Sequence, residues 1–482
     1  MSLSALALVC FGSGSAKAAI HEEHFCWGKT ITPGQPCDGL YDGESGGVHR
    51  WVTGIYVSGV QHSVCATSFL VPDSVHACTE GPGQGAFLNL TPSESWDFGV
   101  IYNNNGVQGD TTVYGVIYWE DAPPGGGSPP PTYSSNIKAV FADSANANTV
   151  TGWQFNTTDG WQQAPLWGHE IAAGSSPETL TVNGVRHIFY VDAGNGNTIT
   201  DWNFNSSTGE WQQTSLWGHQ VASGTSPAAI SIGGTPYVFF VDASNSNTIS
   251  YWSWNSSSGW QQTFLYGHPA ATGTSPTAMN VNGNPQAFFV DSSDNKTITA
   301  WTWNSSSGWQ SAYLWGHQVS AGSSPSAMMN GSYPEVFFSD ASNGNTVSAW
   351  VWISGVGWQQ AFLGGHSLAA GSSPSAMMNK CCTGGSIPQV WFVDASNNNT
   401  ITAWSWSSGA GWQQAFLYGH PAATGTSPSA VMDGTTPHVF YVDATNSNTI
   451  TDWKWTPSTS WQSIFLWGHA AMTGTSPSGF ES

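Results

Sequence analysis

A unit of about 49 residues returns seven times between residue 133 and the C-terminus, and this period constrains the fold more than any other feature of the chain. Gly-His closes each unit, at His169, His219, His268, His317, His366, His420 and His469. An aspartate ends an apolar run at Asp143, Asp192, Asp242, Asp291, Asp340, Asp394 and Asp443, and Ser-Pro stands at Pro177, Pro227, Pro276, Pro325, Pro374, Pro428 and Pro477. One copy, residues 226–268, reads as four short strands. An apolar run at 228–232 meets the turn Gly233-Gly234-Thr235-Pro236, and a second run at 237–241 ends on Asp242. A turn of Asp, Asn and Ser, residues that bond their own backbone, leads to a third strand at 248–254. Another turn precedes the fourth, at 260–265.

Four antiparallel strands per repeat suit the blade of a β-propeller, and equally a linear β-array. The ends of the chain choose between them. The first copy starts at Tyr133 with its second strand, whereas the chain finishes with a spare Ser-Pro strand at 475–480. The two halves make one blade. The expected fold is therefore all-β: a seven-bladed propeller at 133–482, closed by a C-terminal strand that completes the first blade and hides edges that would otherwise template aggregation.

The remaining residues divide into three parts. Residues 3–11 are apolar and lead to Ala16-Lys17-Ala18, which reads as a secretory signal over 1–18 and places the protein outside the cell. Cleavage there would put His21 third in the mature chain, a place that can bind Cu(II); His21 and His24 are read as a solvated tail, and no metal site is expected. Residues 19–121 do not repeat and carry alternating runs at 49–60, 64–71, 99–103 and 112–119, as in a small β-sandwich, with a loop-rich fold as the alternative. Their cysteines, Cys26, Cys37, Cys65 and Cys78, imply two disulfides, with sequential pairing preferred among three connectivities. Residues 122–132, rich in Pro and Gly, form a linker. A further pair, Cys381-Cys382, lies in the insertion that lengthens one repeat to about 54 residues. It is read as a strained vicinal disulfide, with free thiols or a bridge to another chain as the rivals.

Charge excludes several partners. Eight Lys and Arg face 29 Asp and Glu, a net charge of −21, so nucleic acid and anionic membranes would be repelled. Beyond residue 18 no apolar run is long enough to insert as a spanning helix. No cofactor is implied, and oligomerisation is left open.

Of the 28 tryptophans all but four lie in the repeats, so most must fill its core. Trp153, Trp202, Trp252, Trp301, Trp350, Trp404 and Trp453 recur on the third strand, and Phe155, Phe204, Trp254, Trp303, Trp352, Trp406 and Trp455 follow two residues later on the same face. Both sets are expected to be covered by neighbouring blades. Trp161, Trp211, Trp260, Trp309, Trp358, Trp412 and Trp461 open the fourth strand just after a turn, closer to a surface.

The position before Gly-His reads Trp167, Trp217, Tyr266, Trp315, Gly364, Tyr418 and Trp467. A residue that only fills a repeated core slot should not become Gly in one blade, so this set belongs to a rim or pocket. An aromatic face beside neutral hydrogen-bonding groups suits a pyranose, which stacks its C–H face and bonds through its hydroxyls. The aromatics and histidines of this motif, with the tryptophans opening strand four, are the candidate carbohydrate-binding residues. The competing view is that each histidine ties adjacent blades by bonding a backbone carbonyl.

The repeat resembles that of the seven-bladed lectins of the Photorhabdus lectin type and, more distantly, the tectonin-like and fungal fucose-binding propellers. The resemblance rests on Ser-Pro opening a strand, the run His438-Val-Phe-Tyr-Val442, a polar turn, a Trp-containing strand, Trp461-Gln462 and Leu466-Trp467-Gly468, and it covers residues 133–482. It implies several shallow sites between blades for fucose or other, sometimes O-methylated, sugars on cell-surface glycoconjugates, with strength gained by multivalency. The family usually ends its blade Leu-Gly-Gly; here only Leu363-Gly364-Gly365 does.

Two other classes compete. A propeller glycosidase or lyase needs a unique constellation of carboxylates, but the repeated aspartates occur once per blade. The non-repeated acids Glu170, Glu178, Asp201, Glu210, Glu335 and Asp452 are scattered in sequence. The chain is accordingly read as no enzyme. The Asp-x-x-Asn-x-Asn turns lack the spacing of a calcium loop and are read as turns bonding their own backbone. A non-catalytic scaffold or adhesin that binds protein through one propeller face remains the alternative to a lectin.

Overall fold

In the computed structural model the chain divides into two units, 1–132 and 133–482. The structure describes residues 20–31, 37–41, 50–59, 64–68, 76–78, 85–89, 98–103 and 111–121 as strands, and residues 137–156, 160–166, 168–380 and 386–481. The first unit contains β1 (Ile20–Ile31), β2 (Cys37–Tyr41), β3 (Arg50–Gly59), β4 (Val64–Ser68), β5 (His76–Cys78), β6 (Gly85–Asn89), β7 (Phe98–Asn103) and β8 (Thr111–Asp121). They form two four-stranded antiparallel sheets, β1-β8-β3-β6 and β2-β7-β4-β5. The four alternating runs of the sequence correspond to β3, β4, β7 and β8. β1 lacks clean alternation because its register breaks between Phe25 and Lys29. The β4–β5 register sets Cys65 directly opposite Cys78, a pairing whose α-carbons lie about 4.5–5.5 Å apart, within the reach of a disulfide. The side chains of these cysteines, the signal and linker segments, and Cys381-Cys382 lie outside the described residues.

The second unit is an all-β, seven-bladed propeller. Each blade is a four-stranded antiparallel sheet with its strands in sequence order. Blade 2 runs over 178–216, blade 3 over 228–265, blade 4 over 277–314, blade 5 over 326–367, blade 6 over 375–417 and blade 7 over 429–466. Blade 1 takes three strands from 137–165 and its innermost from Ser478–Gly479. In blade 3 the four strands are Ala228–Ile232, Thr235–Asp242, Thr248–Asn255 and Gly259–Leu265. The first turn is shorter than the sequence implies. Gly233 and Gly234 both take positive φ, 55° and 79°, as a two-residue hairpin turn requires, and Thr235 and Pro236 already belong to the strand. Second strands such as Val238-Phe-Phe-Val241 are apolar on both faces because a blade covers each side. Phe239 packs toward blade 4 and Phe240 toward blade 2, and both are fully buried.

Closure is made by hydrogen bonds as well as packing. Ser478 pairs with Val140 and Gly479 with Ala139; the Phe480 amide donates to the Lys138 carbonyl at 2.8 Å. Phe480 is 1% exposed and lies against Trp211. The serine of each Ser-Pro explains its recurrence. Ser176 donates its backbone N–H to the Ser226 hydroxyl, and the pattern passes through Ser275, Ser324, Ser373, Ser427 and Ser476 back to Ser176, each bond 2.8 Å long. This ring of hydroxyls encircles a central channel of about 700 Å³.

Glu178 stands in the channel wall where the other blades place Ala, Thr or Ser. Burial pushes its carboxyl up to about 8, against the lowering effect of the Ala229 N–H it accepts. A folded-state pKa above the unfolded value means that the folded chain holds the extra proton, so this group erodes stability as pH rises from about 4.5 to 8. Glu178→Gln should therefore change stability by less than about 1 kcal/mol at pH 5 and stabilise by up to about 4–5 kcal/mol at pH 9. Calorimetric melting of both proteins at the two pH values checks this.

Candidate functional site

The aromatic-Gly-His motif lies where the outer strand of one blade crosses to the next, and each of its residues has a separate task. The glycine is imposed by close approach: a Cβ on Gly218 would sit 2.5 Å from the Trp252 ring and 2.3 Å from the Gln262 amide oxygen. The histidine reaches the aspartate of the following blade. His219 Nδ1 donates to Asp242 Oδ2 at 2.8 Å, and His169–Asp192, His268–Asp291, His317–Asp340, His366–Asp394, His420–Asp443 and His469–Asp143 repeat the contact at 2.7–2.9 Å. These histidines do tie adjacent blades. Their acceptor is a carboxylate rather than a backbone carbonyl, because each aspartate is 0% exposed and a buried charge must be fully bonded. Asp242 Oδ2 also accepts from Ser250 Oγ, and Oδ1 from the Asn245 amide. The polar turn thus bonds its own backbone. Among the described residues no group of three or more His, Cys, Asp or Glu is placed to hold a metal ion.

The aromatic of the motif turns outward. Trp217, Tyr266, Trp315, Tyr418 and Trp467 are 71–74% exposed, more than any other large hydrophobic residue among those described. Trp167 lies outside the described residues. At Gly364 the outer strand continues to Ser367 with φ of 71° at Gly364 and 73° at Gly365.

The tryptophans opening the fourth strand are not rim residues. Trp260 meets Phe189 of the preceding blade edge-on at 5.7 Å. Trp309, Trp358, Trp412, Trp461 and Trp161 meet the equivalent Phe239, Phe288, Phe337, Trp391 and Phe440, and Trp211 packs beside Phe480. They are interblade wedges, half-buried or buried. Of the two sets expected to be covered, Trp153, Trp202, Trp252, Trp301, Trp350, Trp404 and Trp453 are buried, whereas in the second Trp254, Trp303, Trp352 and Trp406 are 37–46% exposed. These four sit at the end of the third strand. Trp254, Trp303 and Trp352 lean edge-on against the wedge of their own blade, Trp352 on Trp358 at 5.7 Å.

Between successive blades these tryptophans wall a cleft, on the opposite face of the ring from the histidines. Its floor is the second-strand residue five before the aspartate, or Ile137 in blade 1. Most clefts are filled by the chain itself. Ile137 fills the first against Gly152, which has no room for a Cβ. His187 bonds Asp201 at 3.0 Å in the second, and His438 bonds Asp452 at 2.9 Å in the last. Tyr237 and Tyr251 occupy the third, where the Trp309 indole donates to the Tyr251 hydroxyl. Asn330 donates to Glu335, and Asn379 to Gln389, in the two clefts flanking blade 6. Burial raises the carboxyls of Asp201, Glu335 and Asp452 above their ordinary range.

The cleft between blades 4 and 5 is open. It encloses about 390 Å³ between Gln286, Thr302 and Ala312 of blade 4 and Pro334, Trp352 and Trp358 of blade 5. The Gln286 side-chain oxygen is buried there without a hydrogen-bond partner. This residue was legible only by aligning the repeats and asking which position varies: Ile137, His187, Tyr237, Gln286, Glu335, Gln389 and His438 share one place. Three of the acids that look scattered in sequence, Asp201, Glu335 and Asp452, thereby fall into equivalent clefts, though never two into the same one.

Comparison with solved structures places the chain among propellers. It is similar to the BP39L lectin from Burkholderia pseudomallei, with a TM-score of 0.57 and 14% identity over 70% of this chain and 96% of that one. Other similar structures are the SapL1 lectin in complex with α-methyl fucoside (TM-score 0.45, 18% identity, 62% and 96% coverage) and the six-bladed Aleuria aurantia lectin (TM-score 0.42, 14% identity, 62% and 95% coverage). No protein-family model and no curated protein matches the chain.

Proposed function

We propose that this chain is a secreted, non-catalytic carbohydrate-binding protein whose propeller holds neutral sugars in clefts between blades. The observation that carries the reading is the cleft between blades 4 and 5, where Trp352 and Trp358 meet an unpartnered Gln286 oxygen. Its volume lies in the usual range for small-ligand sites. A pyranose supplies what is missing: a C–H face for an indole and a hydroxyl to donate to Gln286. The apolar wall of Val281, Ala312 and Pro334 suits a 6-deoxy or O-methylated sugar, the class implied by the sequence resemblance. The lectin BP39L shares the fold.

The clefts differ, so the ring is uneven rather than a set of seven like sites. Glycoside hydrolysis needs two carboxylates flanking one bond; Asp201, Glu335 and Asp452 occupy separate clefts, and Asp433, whose charge acts on Asp452, is itself paired with Lys138 at 2.8 Å. A glycan array probed with the full chain tests the reading. Hits confined to neutral 6-deoxy or O-methylated sugars are expected; a well-folded chain with no hit on any glycan overturns it.

A further inference from the structure

The histidine face carries a second construction that the clefts do not use. At four blade junctions a histidine, an outer-strand aromatic and a rim aromatic form a ladder. His219 lies 4.6 Å from Phe264, which lies 6.1 Å from Tyr266. His366, Phe416 and Tyr418 repeat it at 5.0 and 6.1 Å, and His420, Phe465 and Trp467 at 4.7 and 6.1 Å. The rim aromatics are more than 70% exposed, an unfavourable placement for apolar surface unless something covers it.

The chemistry of the histidine says what that is. Its Nδ1 proton is committed to a buried carboxylate, so in the neutral ring Nε2 is a lone-pair acceptor, and the side chain is 38–41% exposed at these three junctions. The fourth junction shows the partner such a nitrogen takes. There Tyr313 stands in place of the phenylalanine and its hydroxyl donates to His268 Nε2. Phe264, Phe416 and Phe465 offer no hydroxyl, which leaves the acceptor to a ligand. An aromatic ledge with a fixed acceptor, and no lysine or arginine in the adjoining turns 242–247, 394–399 and 443–448, fits an uncharged polyhydroxyl compound. A phosphocholine surface has no donor to give.

We propose that this face is a second carbohydrate-binding surface, in which the ladders of His366 and His420, at adjacent junctions, hold successive parts of an extended neutral polysaccharide and the ladder of His219 holds a separate segment. The proposal rests on the carbohydrate-binding reading and adds a location and a ligand form distinct from the cleft. Sedimentation of the full chain with insoluble chitin and with amorphous cellulose tests it, beside titration with methyl α-fucoside as the cleft probe. The triple variant Tyr266→Ala/Tyr418→Ala/Trp467→Ala alters only exposed side chains and should melt like the wild type. Its retention on at least one polysaccharide should fall tenfold or more, with titration of the soluble glycoside unchanged; Trp352→Ala should do the reverse. Wild-type retention by the triple variant, absence of binding of the wild type to both solids, or binding to phosphatidylcholine vesicles that the triple variant loses would each overturn the proposal. Loss of glycoside titration in the wild type would instead remove the cleft reading.

Discussion

Ending the chain at Thr475 should lower the melting temperature by 15 °C or more, or yield aggregated protein. Seven residues are removed, yet they supply the innermost strand of blade 1, the fully buried Phe480 and the last link of the serine ring. Losing a buried phenylalanine costs about 3–5 kcal/mol by itself. The exposed second strand at Ile137–Asp143 then becomes an unpaired edge, the kind that recruits other chains. Calorimetry and size-exclusion chromatography of the truncated chain decide the matter. A monomer that melts within a few degrees of the full chain would show that the ring does not depend on its closing strand.

The second large effect belongs to the junction aspartates. Asp242→Ala should destabilise by about 3–5 kcal/mol, the range for breaking a buried, fully bonded ionic group. The Ser250 hydroxyl, at 0% exposure, and the Asn245 amide both lose their acceptor. His219→Ala should cost only about 1 kcal/mol or less, since that ring is 38% exposed and water replaces its contact. Urea unfolding of the two variants measures the difference. Equal losses would mean that the histidine, not the aspartate, holds the junction.

The fold was legible because repetition reports packing. Ser-Pro, the aspartate and the wedge tryptophan recur for reasons visible in the structure: a hydrogen-bond ring, a buried junction charge and an interblade contact. The spare strand at the C-terminus stated how the ring closes. The site was much less legible, and for the same reason. Repeated aromatics drew attention to Trp161, Trp211, Trp260, Trp309, Trp358, Trp412 and Trp461, six of which repetition had placed against the preceding blade's second strand.

The open cleft depends instead on where the repeat varies. Gln286 is one of five residue types found at a single position, and its oxygen is unpartnered because Ala300 stands where blade 3 has Tyr251 and blade 2 has Asp201, and Val281 where blades 5 and 6 have the donors Asn330 and Asn379. Periodicity also cannot tell which end of a strand the neighbouring blades cover. Trp252 and Trp254 share a face in sequence, but one is 6% exposed and the other 46%.

The central claim is that a sugar enters the cleft between blades 4 and 5, and titration calorimetry of the full chain beside Trp352→Ala, using the strongest neutral glycan found on the array, tests it most directly. Trp352 is 40% exposed, so the variant should fold as the wild type does. Removing one base of the stacking face should weaken binding at least tenfold, about 1.4 kcal/mol. An unchanged affinity in a variant with an unchanged melting temperature would contradict the account.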